Sequence, residues 1–265
     1  MTSIDSEIDN VQYARPGSTV CRVKLHMHEW GDPGGQTLVC VHGVTAHGER
    51  FKQLAEERWA QRFHVCAPDL RGHGRSPWEP PWTFAQLVED LAETFPKPCN
   101  WLGHSLGGRL VVELAARRPE LVQSAVLLDP ALQVLPQVAG HLADEERAEP
   151  VYDSVEAYVD SRSDAAGLDR TRAIADMALH VDHLPDGRVR RRTSQAAVVS
   201  IYGELATDPP PPPRVPTLLL YAPDYGLVRD EDVRQYEHVV TVPGGHMIMW
   251  SEFDATADAV ETFLG

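Results

Sequence analysis

Short apolar runs alternate along this chain with segments whose apolar residues recur every three or four positions. The short runs, which are typical of buried strands, fall at 37–41, 63–67, 100–102, 125–128, 217–221 and 238–242. The periodic segments, which are typical of helices with one buried face, fall at 51–61, 84–95, 106–117 and 253–264. Residues 20–29 alternate between apolar and polar, which favours an antiparallel edge strand. The pattern predicts an α/β fold, with a mostly parallel sheet and helices on both of its faces.

One long stretch interrupts this rhythm. Between 132 and 213 there is no convincing buried strand, and the sequence is charged, helix-prone and closed by a proline run at 209–213. We predict that 132–213 is a helical cap inserted into a core formed by 1–131 and 214–265. A basic cluster within the cap favours a solvated turn; its members are Arg188, Arg190, Arg191 and Arg192.

Composition narrows the classes of partner. The 265 residues carry a formal net charge of −15, which disfavours nucleic acid and anionic membrane surfaces. Residues 1–10 lack the basic and apolar segments of a secretory signal, and no apolar run approaches the length of a membrane span. The four cysteines form no Cys-x-x-Cys pair and favour buried free thiols; they are Cys21, Cys40, Cys66 and Cys99. We expect a cytoplasmic protein that neither inserts into membranes nor binds nucleic acid.

The most informative motif is the pentapeptide from Gly103 to Gly107, which reads Gly-His-Ser-Leu-Gly. A predicted strand precedes it and a predicted helix follows it, so Ser105 is expected on a tight turn between the two. The two glycines suit a turn that has no room for a Cβ on either side. Such a turn projects the hydroxyl above the sheet at the N-terminus of the helix, where it can act as a nucleophile.

A serine nucleophile needs a base and a site for the oxyanion. His246 follows the last predicted strand on a Gly-Gly loop, and it is the one histidine of twelve in a setting suited to a general base. Backbone N–H groups can stabilise the oxyanion without help from side chains. We expect these donors to be the N–H of Leu106, directly after Ser105, and the N–H of Val44, on the turn after the 37–41 strand.

Four segments occur in an order that resembles the α/β-hydrolase family over nearly the full length of the chain. They are His42-Gly43, the D-x-R-G-x-G-x-S run that begins at Asp69, the turn at Ser105, and the Gly-Gly-His segment that ends at His246. The resemblance implies the α/β-hydrolase fold, with an eight-stranded sheet, a serine–histidine–acid triad and a cap inserted after the sixth strand. Within the family the chain is similar to actinobacterial esterase- and lipase-type members.

The acid of the triad has two candidates. Most members of the family place it in a loop after the seventh strand, where this chain has Asp224 one residue early and Tyr225 at the usual position. Other members place it at the end of the sixth strand, where this chain has Asp129. Both candidates keep the chain order serine, acid, histidine. We favour Asp129, because Asp224 requires a shifted loop.

These residues together predict a serine hydrolase that cleaves a small or medium carboxylic ester through an acyl-enzyme, with no cofactor and no metal. The same triad also serves lactonases and carbon–carbon bond hydrolases, which remain alternatives. A hydrolase-like ligand receptor with slow turnover is an alternative of a different class.

Overall fold

The computed structural model describes residues 22–147, 151–162 and 170–265, and its framework is a set of ten strands and ten α-helices. In chain order the strands of this described part are β1 (Met27–Trp30), β2 (Gln36–Val41), β3 (Phe63–Pro68), β4 (Cys99–His104), β5 (Val122–Leu128), β6 (Val151–Tyr152), β7 (Val181–His183), β8 (Val189–Arg191), β9 (Thr217–Tyr221) and β10 (His238–Thr241). The helices are α1 (Lys52–Glu57), α2 (Phe84–Thr94), α3 (Leu106–Arg117), α4 (Pro136–Glu145), α5 (Val155–Asp160), α6 (Arg170–Ala178), α7 (Gln195–Leu205), α8 (Asp230–Val233), α9 (Ile248–Ser251) and α10 (Phe253–Leu264).

Seven of these strands form the central sheet, in the order β1-β3-β2-β4-β5-β9-β10. Strand β1 pairs antiparallel with β3 at one edge, and every other pairing in the sheet is parallel. The alternating pattern predicts this edge strand over 20–29, but it begins only at Met27; residues 22–26 form no strand, and 20–21 lie outside the described residues. In the described residues the central sheet therefore has one strand fewer than the eight that the family resemblance implies. Parallel pairing brings the carboxyl ends of β2, β4, β5, β9 and β10 to one edge, where ligands bind in open α/β sheets.

Alternate residues of the strands pack on opposite faces of the sheet. Val39 and Val41 of β2 belong to the apolar cluster that includes α2 and α3, whereas Leu38 and Cys40 belong to the cluster that includes α1, α9 and α10. Residues buried on both faces explain why the strands read as continuous apolar runs. The short helix α9 is not predicted by the sequence, whereas α1, α2, α3 and α10 lie within the predicted helical segments. The mostly parallel α/β architecture is confirmed.

Helix α2 shows how local sequence sets the bounds of an element. Thr83 adopts an extended conformation just before the helix, and its side-chain oxygen accepts a hydrogen bond from the N–H of Gln86 at 3.3 Å. The apolar stripe then faces the sheet with no measurable exposure at Leu87, Val88 and Leu91. A capped start and one buried stripe therefore account for this helix.

The interval 132–213 contains more than helices. Besides α4 to α7, its described part holds a small antiparallel sheet in the order β6-β8-β7. The sequence predicts no strand in this interval, because strands of two or three residues are too short to show a two-residue period. A separate apolar cluster lies here, formed by residues such as Tyr158, Met177 and Val189. No helix in the described residues is long and apolar enough to cross a lipid bilayer.

Candidate active site

Ser105 lies between β4 and α3 in a conformation that few non-glycine residues adopt. Its backbone has φ 55° and ψ −118°, and its N–H donates to the carbonyl of Leu128 at 3.1 Å. A Cβ on Gly103 would collide with the backbone of Gly107, and a Cβ on Gly107 would collide with the carbonyl of Val41. The two glycines of the motif are therefore steric requirements of the turn, which holds Ser105 at the wall of a cavity.

His246 and Asp129 form a hydrogen-bonded pair. The Nδ1 atom of His246 lies 2.6 Å from Oδ2 of Asp129, whose side chain has no exposed surface. The other carboxylate oxygen of Asp129 accepts the N–H of Ala222 at 3.2 Å. Asp129 directly follows β5 and has φ 39°, so its backbone also leaves the favoured regions, as that of Ser105 does. An acid in this position fixes the tautomer and the orientation of the imidazole.

Asp224, the alternative acid, lies elsewhere. It is exposed on the short 3-10 turn Pro223–Tyr225 that follows β9. The next residue, Tyr225, stacks on the ring of His246 with centroids 4.9 Å apart and an interplanar angle of 11°. The structure therefore brings Asp129 to the imidazole and leaves Asp224 at the surface. Sequence reasoning missed the role of Tyr225 as a packing partner of His246.

The loop from His42 to Thr45 passes close to Ser105. An added Cβ on Gly43 would lie 3.2 Å from Cβ and 3.6 Å from Oγ of Ser105, which explains the glycine. Val44 lines the same cavity as Ser105, and Leu106 is the first residue of α3, where helical N–H groups lack intrahelical acceptors. Val44 and Leu106, the predicted oxyanion donors, therefore directly follow Gly43 and Ser105, which lie against each other.

Two buried histidines hold this loop in place. Nε2 of His42 accepts the N–H of Leu70 at 3.0 Å, and its Nδ1 donates to the carbonyl of Gly43 at 2.8 Å. His73 donates from Nε2 to the carbonyl of Val44 at 2.6 Å. Burial lowers the pKa of His42 well below its ordinary value, in agreement with a ring nitrogen that accepts a backbone N–H. The sequence signals for these roles are the His-Gly and Arg-Gly-His segments.

The run that begins at Asp69 stabilises the floor beneath the loop. The carboxylate of Asp69 accepts hydrogen bonds from the backbone N–H groups of Gly48 at 2.8 Å and Arg75 at 2.9 Å. Burial alone would raise the pKa of this carboxyl, but these bonds and the contact with His28 lower it overall. Arg71 forms a fully buried bidentate pair with Asp90, at 2.7 Å for both contacts. The motif is therefore structural.

A cavity of about 650 Å³ opens above the serine. Core residues Gly43 and Val44 line it on one side, and residues of the 132–213 interval line it on the other. Arg191 also lines it, with 2% exposure and an ion pair to Glu146. The sequence interpretation of a solvated basic turn is thus wrong for Arg191, because β8 turns this side chain inward and the Glu146 carboxylate compensates its charge.

Two clusters of potential metal ligands lie on β1, β3 and the residues that flank them. One comprises His26, His28 and Asp69, the other Glu29, His64 and Cys66, with ligand atoms in each cluster within 4.8 Å of one another. Neither cluster lines the cavity at Ser105.

Three of the four cysteines lie in the described part of the chain. Cys40, Cys66 and Cys99 are buried free thiols, as predicted, and burial raises the pKa of Cys66 and Cys99 to about 12. Cys21 lies outside the described residues.

Several known proteins have sequences similar to that of this chain. The family model described as serine aminopeptidase, S33, matches residues 33–241. Lipase LipV from Mycobacterium tuberculosis is 37% identical over 197 residues, which is 72% of this chain and 75% of that protein. The 2-(acetamidomethylene)succinate hydrolase from Mesorhizobium japonicum is 28% identical over 92% of each chain.

Solved structures show the same fold. The crystal structure of E-2-(acetamidomethylene)succinate hydrolase matches with a TM-score of 0.82 at 24% identity, covering 92% of this chain and 96% of that one. The enol-lactonase from Burkholderia xenovorans matches with a TM-score of 0.73 at 20% identity, covering 91% and 96%. The family model matches most of this chain. Together with the fold, this match identifies the chain as a hydrolase of the α/β-hydrolase family, of the esterase and lipase type.

Proposed function

We propose that this protein hydrolyses carboxylic esters through an acyl-enzyme formed on Ser105. The observation that carries the proposal is the 2.6 Å hydrogen bond between His246 and the fully buried Asp129, beside a cavity that Ser105 and His246 both line. A serine on a strained turn, an imidazole oriented by a carboxylate and a substrate-sized cavity are the parts that acyl transfer requires. The lipase relative supports an ester as the substrate.

In the first half of the reaction, Ser105 Oγ attacks the ester carbonyl while its proton passes to Nε2 of His246. The tetrahedral oxyanion accepts hydrogen bonds from the N–H groups of Val44 and Leu106. Collapse breaks the bond to the alkoxide, which leaves with the proton from His246. Asp129 remains ionised throughout and stabilises the imidazolium.

In the second half, water attacks the acyl-enzyme while its proton passes to Nε2 of His246. The second oxyanion occupies the same pair of N–H groups, and its collapse returns the proton to Ser105 and releases the acid. All the proton transfers are thus assigned to one imidazole.

The interval 132–213 acts in this proposal as the cap that sets substrate size. A cavity of about 650 Å³ lies within the range of roughly 300–1,000 Å³ that is typical of small-molecule sites. Apolar side chains of the cap line one wall, among them Val134, Leu142 and Leu205. A cavity of this size suits a small or medium acyl group.

A panel of p-nitrophenyl esters with acyl chains of two to eight carbons tests the proposal. Wild-type protein should turn over the shorter members, and Ser105→Ala should lower kcat on the order of 10⁶-fold while the circular dichroism spectrum stays unchanged. Turnover that survives this substitution would contradict the proposal. Ligand-induced thermal stabilisation without turnover would instead favour the receptor.

A further inference from the structure

The lining of the catalytic cavity gathers several cations in an acidic protein. Three of its residues are arginines, Arg50, Arg162 and Arg191, and two are glutamates, Glu145 and Glu146. Glu146 pairs with Arg191 and Asp176 pairs with Arg50, in a chain whose formal net charge is −15. Cations gathered into a cleft of an acidic protein point to an anionic ligand.

Two of these arginines retain buried hydrogen-bond donors without acceptors. Arg191 bonds Glu146 through its two terminal nitrogens, and Arg50 bonds Asp176 through Nη2 at 2.9 Å. In each guanidinium the Nε–H is buried and has no hydrogen-bond partner in the described part of the protein. The side chains are 2% and 6% exposed. Buried donors of this kind are rare, and a ligand with acceptor oxygens can satisfy them.

The third arginine, Arg162, lies close to the proposed oxyanion donor. Nη1 of Arg162 donates to Oγ1 of Thr45 at 3.0 Å, and Thr45 directly follows Val44, the proposed oxyanion donor. Arg162 and Thr45 both line the cavity. Arg191 lines the same cavity. Two guanidinium groups in one cavity favour an anionic ligand that contacts both.

The rest of the cavity suits a short hydrocarbon chain. Val134, Leu142, Leu205 and Leu227 line it together with Ser105. A substrate that contacts both the arginines and these apolar residues has an ester at one end, a few methylene groups, and an acidic group at the other end. Guanidinium groups match the planar geometry of a carboxylate, which makes a carboxylate the expected acidic group.

We propose that the preferred substrates are half-esters of short dicarboxylic acids, whose free carboxylate is bound by Arg162 and Arg191. This inference rests on the proposed esterase function. The reaction breaks the acyl carbon–oxygen bond and consumes one water. The half-ester monoanion becomes an alcohol and a dicarboxylate dianion, with release of one proton. Because the product keeps the carboxylate that the arginines recognise, it should compete with substrate.

The first test compares two esters of equal acyl length, monoethyl glutarate and ethyl pentanoate, by the release of ethanol. Wild-type kcat/KM should be at least about tenfold higher for the half-ester. Arg162→Gln should lower kcat/KM for the half-ester on the order of 10- to 100-fold more than it lowers that for ethyl pentanoate, since a hydrogen bond to a charged group contributes that much. Arg162→Lys should restore part of the preference.

A matched control and a binding measurement complete the test. Arg188→Gln removes another cap arginine that is exposed and paired with Asp186; it should leave both rates unchanged. Calorimetric titration of wild-type protein should detect binding of glutarate but not of 1,5-pentanediol, and Arg162→Gln should weaken that binding.

The possible failures are distinguishable. Equal rates on the two esters, or an equal loss on both in Arg162→Gln, would overturn the carboxylate site and leave the esterase proposal standing. Absence of turnover on every ester would overturn the esterase proposal, and the glutarate titration would then decide separately whether the carboxylate site exists.

Discussion

Replacing Asp129 by Asn tests the hydrogen bond on which the catalytic geometry depends. The carboxylate receives His246 Nδ1–H on Oδ2 at 2.6 Å and the N–H of Ala222 on Oδ1 at 3.2 Å. An Asn amide can accept on one side only. If its oxygen keeps the bond from Ala222, its NH2 group faces His246 and stabilises the tautomer whose proton is on Nε2. That imidazole has no lone pair on Nε2 with which to accept the proton of Ser105.

The other orientation of the amide is costly as well. With its oxygen toward His246, the NH2 group faces the N–H of Ala222, and two donors meet in a site with no exposed surface at Asp129. An unsatisfied buried donor costs about 1–3 kcal/mol, so the Asn side chain is expected to adopt the first orientation. The corresponding Asp-to-Asn change in serine proteases lowers kcat about 10⁴-fold. We expect Asp129→Asn to have an effect of the same order.

The assay is steady-state hydrolysis of a p-nitrophenyl ester, with thermal unfolding as the check on folding. Asp224→Asn is the matched control, because Asp224 is exposed on the 3-10 turn after β9; its kcat should stay within about threefold of wild type, in the range of surface substitutions. Folded Asp129→Asn with near wild-type kcat, or a crippled Asp224→Asn, would refute the assignment of the acid.

Two further substitutions test the loop at Ser105 and the buried histidines. Gly43→Ala places a Cβ 3.2 Å from Cβ of Ser105, and kcat should fall on the order of tenfold without loss of folding. Gly140→Ala is the control, because its added Cβ would have no atom within 4 Å; kcat should stay unchanged. Burial, followed by nearby positive charge, lowers the pKa of His180 well below its ordinary value. Above pH 6.5 the imidazole is neutral in both the folded and the unfolded protein, and the stability of the fold is at its full value. As the pH falls below 6.5, the unfolded protein takes up a proton that the folded protein does not, so the folded protein loses stability. Between pH 7.5 and 5.5, urea unfolding should show that wild type loses about 1.4 kcal/mol more stability than His180→Gln; an equal loss in both proteins would contradict a neutral buried imidazole.

Sequence alone locates much of the candidate site, because its signals are local. Ser105 needs a strand, two glycines and a helix within a short segment, and each leaves a mark in the sequence. His246 follows a strand and a glycine pair, so its position at the carboxyl edge of the sheet is a consequence of chain order. The catalytic roles of both residues remain predictions.

The choice between the two acids depends on contacts that the sequence does not show. Asp129 and Asp224 each follow a strand at the same edge, and only the three-dimensional path of the loops shows which one meets the imidazole. The structure places Asp129 there, as favoured from the sequence.

The sequence could not indicate contacts made across the fold. Arg191 belongs to a polar run with three neighbouring arginines, and its burial depends on a three-residue strand and on Glu146, 45 positions away. The ring of His73 reaches the carbonyl of Val44 from 29 positions away. Neither pairing leaves a periodic pattern, so charge and polarity alone favour a solvated surface for both residues.

Covalent labelling of Ser105 tests the central claim most directly. A fluorophosphonate reacts with an activated serine and mimics the first half of ester hydrolysis. Peptide mass mapping of the labelled wild-type protein should find one adduct, on the peptide that contains Ser105, and Ser105→Ala should carry no adduct and show no ester turnover. An adduct on a different residue, or undiminished turnover by Ser105→Ala, would contradict the account.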